Sequence, residues 1–135
     1  MTKQNKPTAA ELEILAVLWE FGSATVKEVH EKLNEIKPTT YTTVLKFLQI
    51  MTEKGLVERD DANKAHIYRA ALSQEQTQTT LVSDLLEKAF RGSALKLVQH
   101  VLETKPTSAD ELAEIRKMIT EAEKQTKDET QGEKK

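Results

Sequence analysis

Residues 37–69, KPTTYTTVLKFLQIMTEKGLVERDDANKAHIYR, constrain the fold of this chain more than any other stretch. They read as one helix, a stop at Gly55, and two short strands, Leu56–Asp60 and Ala65–Ala70, around the polar turn Asp61–Lys64. The helix opens with Thr39, Thr40, Thr42 and Thr43 around Tyr41. Threonine is a mediocre helix former, so clustering it in one first turn costs helix stability. The cluster makes sense where that turn must offer hydroxyls and methyls to a polar surface. A DNA major groove is such a surface, because hydroxyls bond base edges or phosphate and methyls touch the thymine methyl.

Two capped helices precede this stretch. Thr8 with Glu11 forms a capping box that opens a helix to about Phe21. Leu12, Leu15, Ala16 and Trp19 make one apolar stripe on it, and Ile14, Leu18 and Phe21 a second. Gly22 ends it. Thr25 with Glu28 is a second box, opening a helix to about Ile36 with Val26, Val29, Leu33 and Ile36 inward. Pro38 is expected at the first position of the third helix, where its missing N–H costs nothing. That helix turns Tyr41, Val44, Leu45, Leu48 and Met51 inward; Phe47 and Ile50 are expected against the strands that follow. Helix, helix, helix, strand, turn, strand is the order of a winged helix, a helix-turn-helix variant.

The rest reads as helix. Ser73 with Gln76 is a third capping box, followed by Leu81, Val82, Leu85, Leu86, Ala89 and Phe90. Gly92 breaks that helix, and a short one follows from about Ala94 to Glu103. Pro106 interrupts, and Ser108 with Glu111 starts a last helix carrying Leu112, Ile115, Met118, Ile119 and Ala122. Residues 125–135 have nothing to bury and are expected to be disordered. The expected division is a winged-helix domain over 1–72, a helical dimerisation domain over 73–125 and a charged tail over 126–135, in a mainly α (α+β) fold. Helices totalling about fifty residues rarely bury enough apolar surface alone. Two copies packed together solve this, and a two-fold dimer presents two reading helices to a two-fold DNA site.

Composition removes several classes. With no cysteine, disulfides, thiolate metal sites and cysteine catalysis are excluded. No apolar run approaches the ~20 residues of a membrane span, and the first residues lack the apolar region of a signal peptide, so a cytoplasmic protein is expected. Residues 1–72 hold ten Lys/Arg against ten Asp/Glu, which argues against a generic basic coat for nucleic acid. A sequence-specific repressor needs positive charge on one face only. His30, His66 and His100 lack the spacing of a zinc pair, so no metal or other cofactor is expected. There is no phosphate-cradling glycine loop and no nucleophile elbow, hence no catalytic residue to name.

The ordered chain resembles the penicillinase-repressor family, the β-lactamase, methicillin-resistance and copper-operon repressors of bacteria. The resemblance lies in PTAAELEILAVLWEFG, PTTYTTVLKFLQIMTEKGLVER, the segment ending HIYRAAL, and RGSALKLVQHVLE. It implies an N-terminal winged helix, C-terminal dimerisation and repression from a palindromic operator. The copper-responsive members carry a cysteine-rich tail, which this chain lacks. The β-lactam-responsive members are cut by a partner membrane protease at an Asn–Phe bond, where this chain has His100–Val101.

The candidate reading residues are Thr39, Thr40, Thr42, Thr43 and Lys46. Lys27 and Thr25, with the free amides of their helix end, are candidates to hold a phosphate. Asn63, Lys64 and His66 are candidates for phosphate or minor-groove contact from the wing. Leu81, Leu85, Leu86, Leu97, Val98, Val101, Ile115 and Ile119 are expected at the dimer contact. Operator DNA, a second copy and a membrane sensor protease are the expected partners. Two other classes compete: a winged helix that binds protein, and a helical adaptor that uses residues 73–125.

Overall fold

The structure, a computed structural model, describes residues 6–62 and 64–133. Its elements run α1 (Ala9–Phe21), β1 (Ala24–Thr25), α2 (Val26–Ile36), α3 (Tyr41–Lys54), β2 (Val57–Asp60), β3 (Ile67–Ala70), α4 (Gln74–Lys88), α5 (Ala94–Thr104) and α6 (Ala109–Glu133). The chain divides into two compact units, one ending at Leu85 and one beginning at Leu86.

In the first unit three helices pack on a small antiparallel sheet of order β1-β3-β2. This is a winged helix. Both capping boxes of α1 and α2 form as their spacing requires: the Thr8 and Thr25 hydroxyls accept from the Glu11 and Glu28 amides, and each glutamate reaches back to its cap. The core joins Ile14, Leu15 and Leu18 of α1 to Val29 and Leu33 of α2, Val44, Leu48 and Met51 of α3, and Tyr68 of β3. Gly55 closes α3 in the left-handed conformation at φ 82°, and the Leu56 amide bonds back to the Met51 carbonyl at 2.9 Å.

β1 was not expected from the sequence. Two residues carry no strand signal; Ala24 and Thr25 become a strand only because Tyr68 and Ile67 of β3 lie opposite them. The expected strands are slightly shorter, starting at Val57 and Ile67. α3 begins at Tyr41, not Pro38, with Thr40 as its cap. A threonine hydroxyl can satisfy the first-turn amides, which Lys37 and Pro38 cannot.

Several inward assignments fail, each beside a right one. Ala16 and Phe21 are exposed while Val17 is buried, because α1 is covered by α2 and the sheet on one side only. Ile36 is 77% exposed, since α2 ends there and the chain leaves the core. Tyr41 is 47% exposed at the tip of α3. Ile50 is exposed, and Phe47 is half-buried beside α1 and α2 instead of against the strands.

The first part of α4 belongs to the first unit, so the compact boundary falls later than residue 72. Thr77 is buried, Lys6 pairs with Asp84, and Trp19 Nε1 donates to the Leu72 carbonyl at 3.0 Å. In the second unit, α5 has no buried residue among those described. α6 continues to Glu133, past the point where disorder was expected. Glu, Lys and Gln make up eight of the fourteen residues from Thr120 to Glu133, and such good helix formers need no core to extend a helix already begun. No helix among the described residues is long and apolar enough to cross a membrane.

One ion pair ties the two ends of the helical layer. Glu11 is 3% exposed, and its carboxylate takes Lys54 Nζ at 2.8 and 2.9 Å. Burial pushes the Glu11 pKa up. Lys54 and the Thr8 amide together outweigh it, and the carboxyl sits below its ordinary range. A depressed carboxylate contributes stability that is fully present above the unfolded pKa of ~4.3 and is lost as pH falls through the folded value. Glu11→Gln is therefore expected to cost about 1.5–3 kcal/mol at neutral pH, the worth of a hydrogen bond to a charged group. Denaturant titrations at stepped pH should show that deficit shrinking only below about pH 4. A deficit independent of pH would mean that the charge contributes nothing. Gly22 has φ 84° with open space where a side chain would go. Gly22→Ala should lower stability by about 1–2 kcal/mol from backbone strain alone, read from the same titrations.

Candidate nucleic-acid interface

The candidate reading surface is built from the cap of α3 outward. Thr40 caps the helix, accepting from the Thr43 amide at 3.2 Å and donating to Thr43 Oγ1 at 2.8 Å. Its proton and one of its two lone pairs are thus spent. Thr43 accepts that bond and keeps its own proton for a partner outside the chain. Thr39 is half-buried and works on the turn: its hydroxyl donates to the Lys37 carbonyl at 2.8 Å and its amide to Asn34 Oδ1 at 2.9 Å.

Val44, Leu48 and Met51 point into the core, so helical geometry sends Thr42, Lys46 and Gln49 the opposite way. All three are exposed, as is Thr43 on the flank. The outward face of α3 is therefore short hydroxyls first and a lysine one turn later. The five sequence candidates come together at one helix start, but they divide by role. Thr42, Thr43 and Lys46 face out, while Thr39 and Thr40 hold the turn.

Sequence reasoning missed His30 and Asn34. They lie four apart on α2 and reach the same backbone segment. His30 Nε2 lies 2.6 Å from the Thr39 carbonyl, and its ring meets Tyr41 edge-on at 6.1 Å. These contacts fix the angle at which α3 leaves the turn. The signal available was the i,i+4 spacing on α2, which is too common to single out. Tyr41 was also missed as an outward residue. Its exposed ring stands at the end of α3 that leads into any groove.

At the start of α2, Lys27 is exposed and Thr25 half-buried. The capping box spends the Thr25 hydroxyl on the Glu28 amide and brings the Glu28 carboxylate to the Thr25 amide at 2.8 Å. A carboxylate there opposes an incoming phosphate, so Lys27 must supply the attraction.

The wing is held by Asp61. Its Oδ1 lies 2.9 Å from Arg59 Nε and 2.7 Å from His66 Nδ1, and Asp60 Oδ1 accepts from the Ala62 amide at 2.9 Å. Hydrogen bonding to Tyr68, the residue opposite Arg59 across the ladder, and then the Asp61 charge raise the Arg59 pKa further. Glu58 and Arg69 also lie opposite each other and pair at 3.1 Å. His66 is thus occupied by Asp61, whereas Lys64 is exposed. Asn63 lies outside the described residues. Arg59 and Asp61 were not among the candidates, although the acid pair was expected to shape the wing.

Comparison with known proteins places this geometry. The family model described as Penicillinase repressor matches residues 7–121. The transcriptional regulator BlaI of Mycobacterium tuberculosis is 30% identical over 125 residues, covering 91% of this chain and 89% of that one. The methicillin resistance regulatory protein MecI of Staphylococcus aureus is 21% identical over 112 residues, covering 83% and 91%. Among solved structures, RosR of H. salinarum shares the fold at a TM-score of 0.50 and 18% identity, covering 86% of this chain and 93% of that one. The chain belongs to the penicillinase-repressor family, DNA-binding transcriptional repressors and not enzymes.

Proposed function

We propose that this chain represses transcription as a homodimer that reads a palindromic operator with α3 of each copy. The observation that carries the reading is the outward start of α3, where Thr42, Thr43 and Lys46 stand exposed above a Thr40 cap whose proton is already spent. Thr43 donates to a base edge, Lys46 reaches base or phosphate, and Thr39 and Thr40 keep the turn in place. Lys27 and Lys64 hold backbone phosphates, with Thr25 and His66 shaping their surroundings.

The second unit and α4 supply the dimer contact. Leu95 is 78% exposed and Met118 68%, and Leu85, Val98, Val101 and Ile119 are exposed too; Leu81, Leu86, Leu97 and Ile115 are half-buried. So much apolar surface on so short a segment is what a partner copy covers. Cutting within α5, around His100–Val101, would sever α6 from the covalent unit and weaken that contact. A membrane sensor protease is the agent this implies, in a cytoplasmic setting.

Thr43→Ala is expected to weaken operator binding by about 1–2 kcal/mol while leaving random-sequence DNA nearly unaffected. Lys27→Ala and Lys64→Ala should weaken both and each lower the salt slope by about one. Gel shifts at stepped salt separate the two classes, and equal losses on both DNAs for Thr43→Ala would remove it from base reading. Val98→Glu combined with Ile119→Glu should give a monomer by sedimentation at micromolar concentration. Its operator affinity should drop about a hundredfold or more, as linkage between half-sites is lost. A double variant that stays dimeric would place the contact elsewhere.

A further inference from the structure

We propose that the groove between α1, the end of α2 and the start of α3 binds a neutral apolar molecule of one or two rings with a single polar tip, and that its occupant weakens DNA reading. The second half rests on the reading of α3 given above.

The groove encloses about 600 Å³, within the range of small-molecule sites. Val17, Leu33, Val44 and Phe47 form an apolar floor. Ile36 stands at the edge, mostly in water, and Phe47 is only half covered. A flat ring laid on this floor removes from water the apolar area that the fold itself leaves there. The charged residues decide the class of occupant. Glu13 and Glu20 come from α1, and Lys32 and Lys37 from α2 and the turn after it. Their charges cancel, so the site has no net field to recruit an ion. The hydroxyls of Thr40 and Thr43 line one end and can meet one hydroxyl or carbonyl.

That end is also the route to the DNA. The Thr40–Thr43 hydrogen bond closes the first turn of α3. A ligand tip that accepts the free Thr43 proton competes with the donation of Thr43 to a base. The occupied groove and the engaged reading helix then disfavour each other, which is a coupling between two sites.

The test uses the full chain, with naphthol as probe and naphthoate and naphthylmethylammonium as charged analogues. Methyl-resolved NMR should show saturable shifts at Val17, Ile36 and Val44 with naphthol, weaker with either ion. Ala16 lines the groove and is exposed, so Ala16→Phe fills it with a ring that carries no polar tip to reach the Thr43 hydroxyl. That variant should lose the shifts while keeping its operator affinity. At saturating naphthol the wild type should lose operator affinity by about tenfold, within the usual range of such couplings. Shifts that do not saturate, shifts that persist in Ala16→Phe, tighter binding of an ion, or unchanged operator affinity at saturation each overturn the proposal. If Ala16→Phe does not fold, the ranking of the three probes on the wild type decides the same question. A wild type that binds no operator without naphthol would refute the DNA reading itself, and the NMR result would still decide whether the groove is a site.

Discussion

A carboxylate with almost no access to water holds α3 in place. Glu11 sits in the first turn of α1, where the helix dipole and the Thr8 amide already favour negative charge. Lys54 sits in the last turn of α3, where the dipole favours positive charge. The pair joins the start of one helix to the end of another, 43 residues apart in sequence. Each partner is placed where its own helix wants it, so burial of the acid is offset twice. With that end of α3 fixed, and the other end fixed by His30 and Asn34 on the turn, the helix has little freedom to roll. Its outward face is set by contacts that never touch that face.

The threonine cluster then resolves into two tasks. A helix start needs a cap, and Thr40 supplies it with both capacities of its hydroxyl. The proposed reading surface needs unspent donors, and Thr43 keeps one. Four similar residues in sequence become unequal because hydrogen bonds are exclusive: a hydroxyl committed to the backbone is unavailable to DNA. The wing shows the same economy with charge. Asp61 draws in the exposed Arg59 and His66, which shapes the turn, while Lys64 on the same turn is also exposed.

The two units differ in how they bury apolar side chains. The winged helix closes a core around Leu18, Leu48 and Tyr68 within one chain. α5 and α6 carry as regular a stripe of Leu, Val and Ile yet bury none fully. That exposed stripe is the surface the proposed second copy would cover. Exposure of Ile36 has a different origin. It sits where α2 runs out, above a concave floor, and the feature it borders is a groove instead of a flat face.

The sequence by itself determined what depends on neighbours three or four residues away. The capping boxes at Thr8, Thr25 and Ser73, the stop at Gly55 and the buried stripe Val44–Leu48–Met51 were legible because helix geometry is local. The order of elements, and with it the winged helix, followed from those signals. What tertiary structure alone decided was every feature that needs a distant partner. β1 exists because β3 lies beside it. Glu11 reads as a surface acid until Lys54 arrives from α3. Tyr41, Phe47 and Ile36 obey a helical period, but only packing says which side of that period is covered. α6 outlasted the expected end because propensity can carry a helix beyond its last useful contact. Periodicity states which residues share a face; the neighbour that covers it comes from elsewhere in the chain.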